Sequence, residues 1–407
     1  VVDSSVFLSL VLILMGARLF GEGAAYLRVP SVMGEMLAGI VLGPSLLGWV
    51  HPDAFLQVLA EFGLILLLFE VGLDADVSRL FSTGLKSLVV AVGGFVAPLA
   101  GGFALAVLVF DFSPLVALFI GGTLTATSIG VTVRVLRDLQ RHHSHEAHVV
   151  LGAAVLDDIL GVILLALLME FSLGDGIHWA TAVRVLVFIL IFMALAPVVA
   201  KLFAGGVRRF DRISHIAGLV PTTIVSLVLF FAWLAHVVGA PALLGGFAAG
   251  LALSRRFVLP FGIFLTSIDG NFVQRIEGKM KPIIHLFTPV FFVMVGLSLD
   301  LGTVNMTSPA LWFMGLAFIT LALASKLAGA FMIPGSLHSR WAIGLAMMPR
   351  AEVGLIFAEL GRTAGVFSQD VYAVMILTIA ITTVLPPFMM KAFYTRYGHH
   401  LTPGSGA

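Results

Sequence analysis

The strongest constraint on this chain is the recurrence of nearly uncharged apolar runs about as long as a bilayer is thick. A membrane-crossing helix needs about 20 such residues, within a range of about 17–25. Thirteen runs fit that ruler, at approximately 5–25, 30–48, 54–73, 84–109, 114–137, 146–171, 179–204, 215–238, 241–254, 282–299, 308–332, 338–361 and 370–394. The ninth is short. The segment 255–281 before the tenth reads as an amphipathic interfacial stretch. Composition agrees, with 59% hydrophobic and 11% charged residues, where soluble domains run about 45–50% and about 25%. The expected fold class is an all-α polytopic membrane protein with about 13 transmembrane helices.

Basic residues orient the spans, because cytoplasmic loops collect Lys and Arg. Nineteen of the 23 fall in odd-numbered loops or the C-terminal tail, among them Arg134, Arg137, Arg141, Arg208, Arg209, Lys279, Lys281 and Arg340. Arg184 and Arg362 lie on the other side, and Lys326 and Arg350 lie inside spans. The split predicts an N-terminus outside and a C-terminus inside. Thirteen spans then divide as six, one and six, with the two sixes of opposite topology. Such inverted repeats are common in secondary transporters, whose sites lie where discontinuous helices meet near the midplane. Matching interruptions occur in the fifth and twelfth spans. One is the polar run from Thr123 to Ser128, followed by Gly130; the other is Met348–Pro349–Arg350–Ala351–Glu352. A proline there removes one backbone donor in mid-membrane.

Within this frame the sixth span carries an expensive feature, two adjacent aspartates at the centre of LGAAVLDDILGVILL, Asp157 and Asp158. A single carboxylate at a helix centre costs a few kcal/mol on the gentler insertion scales, about 2.5–3.5, so intramembrane charges mark ion or proton pathways. Consecutive residues project about 100° apart around a helix. Two close carboxylates resist joint ionisation, and burial disfavours charge further. The pair therefore holds protons until a cation replaces them, the minimal chemistry of an exchanger. The blander alternative is a pair of structural charges neutralised by protonation or a salt bridge.

Lys326 stands in the otherwise uncharged LALASKLAGA. Snorkelling to an interface would have to cover about eight residues, roughly 12 Å at 1.5 Å each. An ion pair with one of the aspartates is the preferred reading. Arg350 and Glu352 flank the second break, where half-helix ends need opposite charge. Thr125, Thr127 and Ser128 can offer oxygens to a hard cation, or serve inter-helix packing. Glu35, Glu61 and Glu70 also fall in spans. His142, His143 and His145 precede the aspartate helix on the basic side. Histidines titrate near neutrality, so pH sensing is one reading of these three, and a solvated loop is the preferred one.

Several classes drop out. Zero Cys removes disulfides, thiolate metal sites and cysteine nucleophiles. A net charge of +1 argues against nucleic-acid partners. No Walker-type glycine loop is found, and no cofactor, no resident metal and no enzymatic activity are expected. The first ten residues, VVDSSVFLSL, lack the basic region of a signal peptide. The last six, TPGSGA, read as a flexible tail. An intramembrane aspartyl protease would need its aspartates on separate helices.

The motifs resemble those of the cation/proton antiporter superfamily, on the branch of bacterial sodium/proton antiporters of the NapA type and the Kef potassium systems. The likeness covers nearly the whole chain. It runs through VPSVMGEMLAGIVLGPSLLG (29–48), LILLLFEVGLD (64–74), TATSIGVTVRVLRDL (125–139), VLGAAVLDDILGVILLA (150–166), TPVFFVMVGLSLDL (288–301), SKLAGA (325–330) and MPRAEVGLIFAELG (348–361). The resemblance implies a core ion-transport domain (84–171 and 306–396) with crossed broken helices. It also implies a dimerisation panel (1–75 and 211–300), a linker helix (176–204) and a homodimer in membrane lipid, the bacterial inner membrane. Asp158 matches the principal cation carboxylate, Asp157 the partner of Lys326, and Thr127 and Ser128 the polar break. It implies electrogenic, alternating-access exchange of Na+ or Li+ for H+. Kef systems usually carry Gln–Asp at the pair and end in soluble regulatory domains, so Asp–Asp and a chain ending near residue 400 favour sodium. The alternatives are potassium/proton exchange on the same scaffold and, more distantly, a sodium-coupled solute transporter or a channel.

Overall fold

A computed structural model describes residues 4–27, 30–74, 83–172, 219–237, 241–254, 270–299, 309–350 and 352–401, with scattered positions in 183–199. The described residues are α-helical with short turns and contain no strand. In chain order the helices are α1 (Ser4–Tyr26), α2 (Ser31–Leu42), α3 (Ala54–Asp74), α4 (Gly84–Leu108), α5 (Pro114–Thr125), α6 (Ile129–Asp138) and α7 (His145–Ser172). They continue as α8 (Leu219–Val237), α9 (Ala242–Leu253), α10 (Gly270–Ser298), α11 (Pro309–Phe331), α12 (Leu337–Ala346), α13 (Glu352–Thr363) and α14 (Gln369–Tyr397). Among the described residues nine helical stretches are long and apolar enough to cross a membrane. The chain is an all-α multi-pass membrane protein. The linker helix expected over 176–204 lies largely outside the described residues.

Both expected interruptions are breaks in a helix. The fifth span is α5 and α6, separated at 126–128, and the twelfth is α12 and α13, with the described residues 347–350 between them outside either helix. Serines start three of these four pieces because a hydroxyl can accept one of the backbone donors that a helix N-terminus leaves over. Ser113 Oγ accepts from Val116 N, Ser128 Oγ from Val131 N and Ser336 Oγ from Ser339 N. In α5, Pro114 also occupies the first position, where its missing N–H costs nothing. One boundary moved substantially. The tenth helix begins at Gly270, not near 282. The charges at 275–281 lower hydropathy without lowering helix propensity, and Lys281 pairs with Glu277 one turn back at 2.7 Å.

Contacts divide the chain into two compact units. The second comprises Ala54–Ser82 and Val183–Phe291. There α9 packs on α3 and on α8. A Cβ at Gly250 would collide with the Phe69 carbonyl, and one at Gly245 with the Phe231 carbonyl. Small residues permit such close approach in membranes, where packing replaces hydrophobic drive.

The first unit comprises Val1–Asp53, Thr83–Ala182 and Phe292–Ala407. Its elements recur in order: an unbroken helix, a broken helix and a long helix, as α4, α5–α6, α7 and again as α11, α12–α13, α14. The unbroken helices α4 and α11 lie against each other. Around α5, α13 and α14, the buried side chains of Phe119, Leu124, Phe318, Phe357 and Leu377 belong to one apolar cluster. That cluster braces the outer halves of both broken helices, and the polar breaks lie at its margin.

Candidate functional site

The breaks are stitched to each other by polar atoms. Ser128 N donates to Pro349 O at 2.8 Å, Thr132 Oγ1 to Ala346 O at 2.7 Å and Thr127 Oγ1 to Met347 O at 3.3 Å. Each bond runs from the first break to the second, so carbonyls orphaned in one helix find donors in the other. Such partners are what non-helical backbone at membrane depth requires. Thr127 and Ser128 are buried.

Arg350 is fully buried and spends its guanidinium on main-chain oxygens. Nε and Nη2 donate to Leu124 O at 3.0 and 2.7 Å, Nη2 also to Ala322 O at 2.8 Å and Nη1 to Met348 O at 3.2 Å. Leu124 is the penultimate residue of α5, where carbonyls carry the negative end of the helix dipole. A cation held there is stabilised without a carboxylate in hydrogen-bond contact among the described residues. Arg350 O in turn accepts from Thr383 Oγ1 of α14. The side chain of Glu352, expected to share this charge compensation, lies outside the described residues.

Beside this crossing runs α7, which packs against α5, α6, α12 and α13. It brings Asp157 and Asp158, both buried, to the centre of the unit. Lys326 Nζ of α11 lies 3.0 Å from Asp157 Oδ2, and neither side chain has any exposed surface. Lys326 therefore does not snorkel. Asp157 Oδ1 is buried with no hydrogen-bond partner among the described residues. The site thus combines a dry ion pair, a second carboxylate one residue on, and the hydroxyls and carbonyls of two broken helices.

The three histidines lie apart from this site. His142 and His143 lie with ring centres 4.0 Å apart and planes tilted by 44° in the turn between α6 and α7. Burial, and the positive surroundings of His143, Arg137 and His148, push His142 down to about 4, so it stays neutral near physiological pH. His143 and His145 are exposed. His145 Nε2 lies 3.3 Å from Lys86 Nζ.

Two features escaped the reading of the residues. On α14 a buried row of hydroxyls, Thr378, Thr382 and Thr383, bonds the preceding turn. On α2, Glu35 is 3.3 Å from Arg134 Nη2 of α6, which also reaches Ser31 Oγ at 3.0 Å. Asp138 completes the set, accepting from Ser31 N and Oγ at 2.9 and 3.0 Å. The signal was present as two i,i+4 pairs, Ser31/Glu35 and Arg134/Asp138, each on one helix face.

Comparison with known proteins bears on what such a site does. Residues 9–393 match the family described as sodium/hydrogen exchanger, transmembrane. The chain is 33% identical over 390 residues to the Na(+)/H(+)-K(+) antiporter GerN of Bacillus cereus, covering 95% of each chain. It is 30% identical over 433 residues to the high-affinity Na(+)/H(+) antiporter NhaS3 of Synechocystis, covering 96% of this chain and 90% of that one. Its fold is similar to that of the sodium proton antiporter MjNhaP1 from Methanocaldococcus jannaschii, with a TM-score of 0.69, 17% identity and coverage of 96% and 97%.

Proposed function

Because the chain belongs to the sodium/hydrogen exchanger family, and with it to the cation/proton antiporter superfamily, we propose that it exchanges sodium or lithium for protons at Asp157 and Asp158. The observation that carries this reading is the dry Lys326–Asp157 pair at 3.0 Å, on the helix that bears Asp158 and packs on both broken helices. A buried ion pair of this kind holds only while both partners keep their charge. Asp158 is the cation ligand, with Thr127 and Ser128 supplying oxygens at the break. A cation arriving there displaces the proton from Asp158 and weakens the hold of Asp157 on Lys326. Lys326 then sheds a proton of its own, so more proton charge moves than cation charge and exchange is electrogenic. Arg350, with Glu352, keeps the half-helix ends neutral while this happens.

Alternating access follows if the core domain, 84–171 and 306–396, carries the site past a dimerisation panel, 1–75 and 211–300, in a homodimer in the bacterial inner membrane. Potassium is the second reading, favoured by the name of GerN, which pairs sodium and potassium. The decisive experiment is proton movement in proteoliposomes on addition of sodium, lithium or potassium. Asp158→Asn is expected to abolish it for every cation while the protein stays folded. Retained exchange in that variant removes the proposal, and the cation series ranks sodium against potassium.

A further inference from the structure

Helix α2 is held on two sides in two different ways. Toward α1 and the last turns of α10 its main chain lies against theirs. A Cβ at Gly34 would collide with the Phe20 carbonyl, one at Gly39 with the Val293 carbonyl and one at Gly296 with the Met36 carbonyl. Helices packed this closely at glycine cannot slide past each other without clashing, so α2 moves with α1 and the end of α10. Toward α6 the bonds are polar and run through the side chains of α6. Arg134 Nη2 lies 3.3 Å from Glu35 Oε1 and 3.0 Å from Ser31 Oγ, and Asp138 Oδ2 accepts from Ser31 N and Oγ. Water can take over these bonds. The side chains of Arg134 and Asp138 keep 20% and 24% of their surface exposed, and ion pairs at such positions hold weakly. Glu35 Oε2 is buried with no hydrogen-bond partner among the described residues, so the closed arrangement is not fully satisfied.

Helix α6, for its part, is bound to the site, because Ser128 N and Thr132 Oγ1 hold it to Pro349 O and Ala346 O of the second break. The polar set is therefore the seam between a part that carries the site and a part that does not. We propose that Ser31, Glu35, Arg134 and Asp138 form a latch across that seam, shut in this structure, which opens each time the site is carried across the membrane. The proposal rests on the alternating-access reading above, in which α2 belongs to the panel and α6 to the core. To that reading it adds where the two parts are pinned and by which groups. Opening separates two carboxylates and a guanidinium into water at the basic end of α6. The latch thus sets how long one access state lasts without touching the cation.

The chain has no Cys, so an introduced pair is unique. The test reconstitutes Ser31→Cys/Asp138→Cys in proteoliposomes and bridges the two thiols with ethylene bis-methanethiosulfonate, which dithiothreitol removes. Each sample is then its own control. Proton movement on addition of sodium is expected to fall at least tenfold on bridging and to return on reduction. If the reduced pair is inactive or does not fold, Ser31→Cys/Arg134→Cys keeps Asp138 and carries the same test. Bridged protein that exchanges as fast as its reduced form overturns the latch, and so does folded protein in which neither pair can be bridged. Wild type that moves no protons with sodium, lithium or potassium overturns the antiport reading and the latch with it. Wild type that exchanges, beside a bridged variant that keeps pace with its reduced form, overturns the latch alone.

Discussion

Lys326 and Asp157 meet with no exposed side-chain surface, and each is tolerable there only because of the other. Removing one partner of a buried pair leaves an uncompensated charge, at a cost of about 3–5 kcal/mol. Lys326→Gln is therefore expected to lower stability by that order at pH 8. Unfolding midpoints of the variant and the wild type check this, and an unchanged midpoint contradicts it. His142 gives a pH dependence, outside the spans. Its folded pKa of about 4 lies below the ordinary value of 6.5, so between those values the unfolded chain binds the extra proton. The contribution of neutral His142 to stability is complete above about 6.5 and is lost as pH falls toward about 4. His142→Gln is expected to flatten that part of the midpoint-against-pH curve; an unchanged curve would show that other groups set it.

Helices of this protein are placed by what interrupts them and by how closely they can approach. The breaks at 126–128 and 347–350 persist because each helix bonds the unpaired backbone of the other and Arg350 satisfies the end of α5. Close approach matters most between α4 and α11, because α11 carries Lys326. A Cβ at Gly329 would fall inside the contact distance of the Val90 carbonyl and of Gly94 N, both main-chain atoms that cannot step aside. At Gly94 the nearest atom is Lys326 Cδ at 3.7 Å, an ordinary contact. Gly329→Ala is expected to cost about 1–3 kcal/mol as overpacking, and Gly94→Ala to stay within about 0.5 kcal/mol of wild type. Comparable losses in the two thermal unfolding curves would refute this placement of α4 on α11.

At the scale of the whole molecule, a transported cation is a ligand of the native state. Sodium that binds at Asp158 should stabilise the fold by mass action, by about 2.7 kcal/mol at a hundredfold excess over its dissociation constant. The unfolding midpoint is expected to rise with sodium at pH 8, less at pH 5 where protons compete, and not at all in Asp158→Asn. An equal rise in that variant points to a salt effect. Much of this architecture was legible beforehand. The lengths of the apolar runs, the sidedness of Arg and Lys, the breaks around Ser128 and Pro349 and the placement of two aspartates in one span are local properties. Each follows from the transfer energy or backbone chemistry of a short stretch, so the sequence by itself determined them. What the residues left open was the pairing. Lys326 and Asp157 are 169 positions apart and Arg350 and Leu124 are 226 apart. The meeting of Glu35 with Arg134, and of Glu146 with Ser339, is equally non-local. Which faces of two helices meet depends on their rotation and crossing. These are set by close glycine contacts and shared hydrogen bonds across the bundle, and only the tertiary structure decides them.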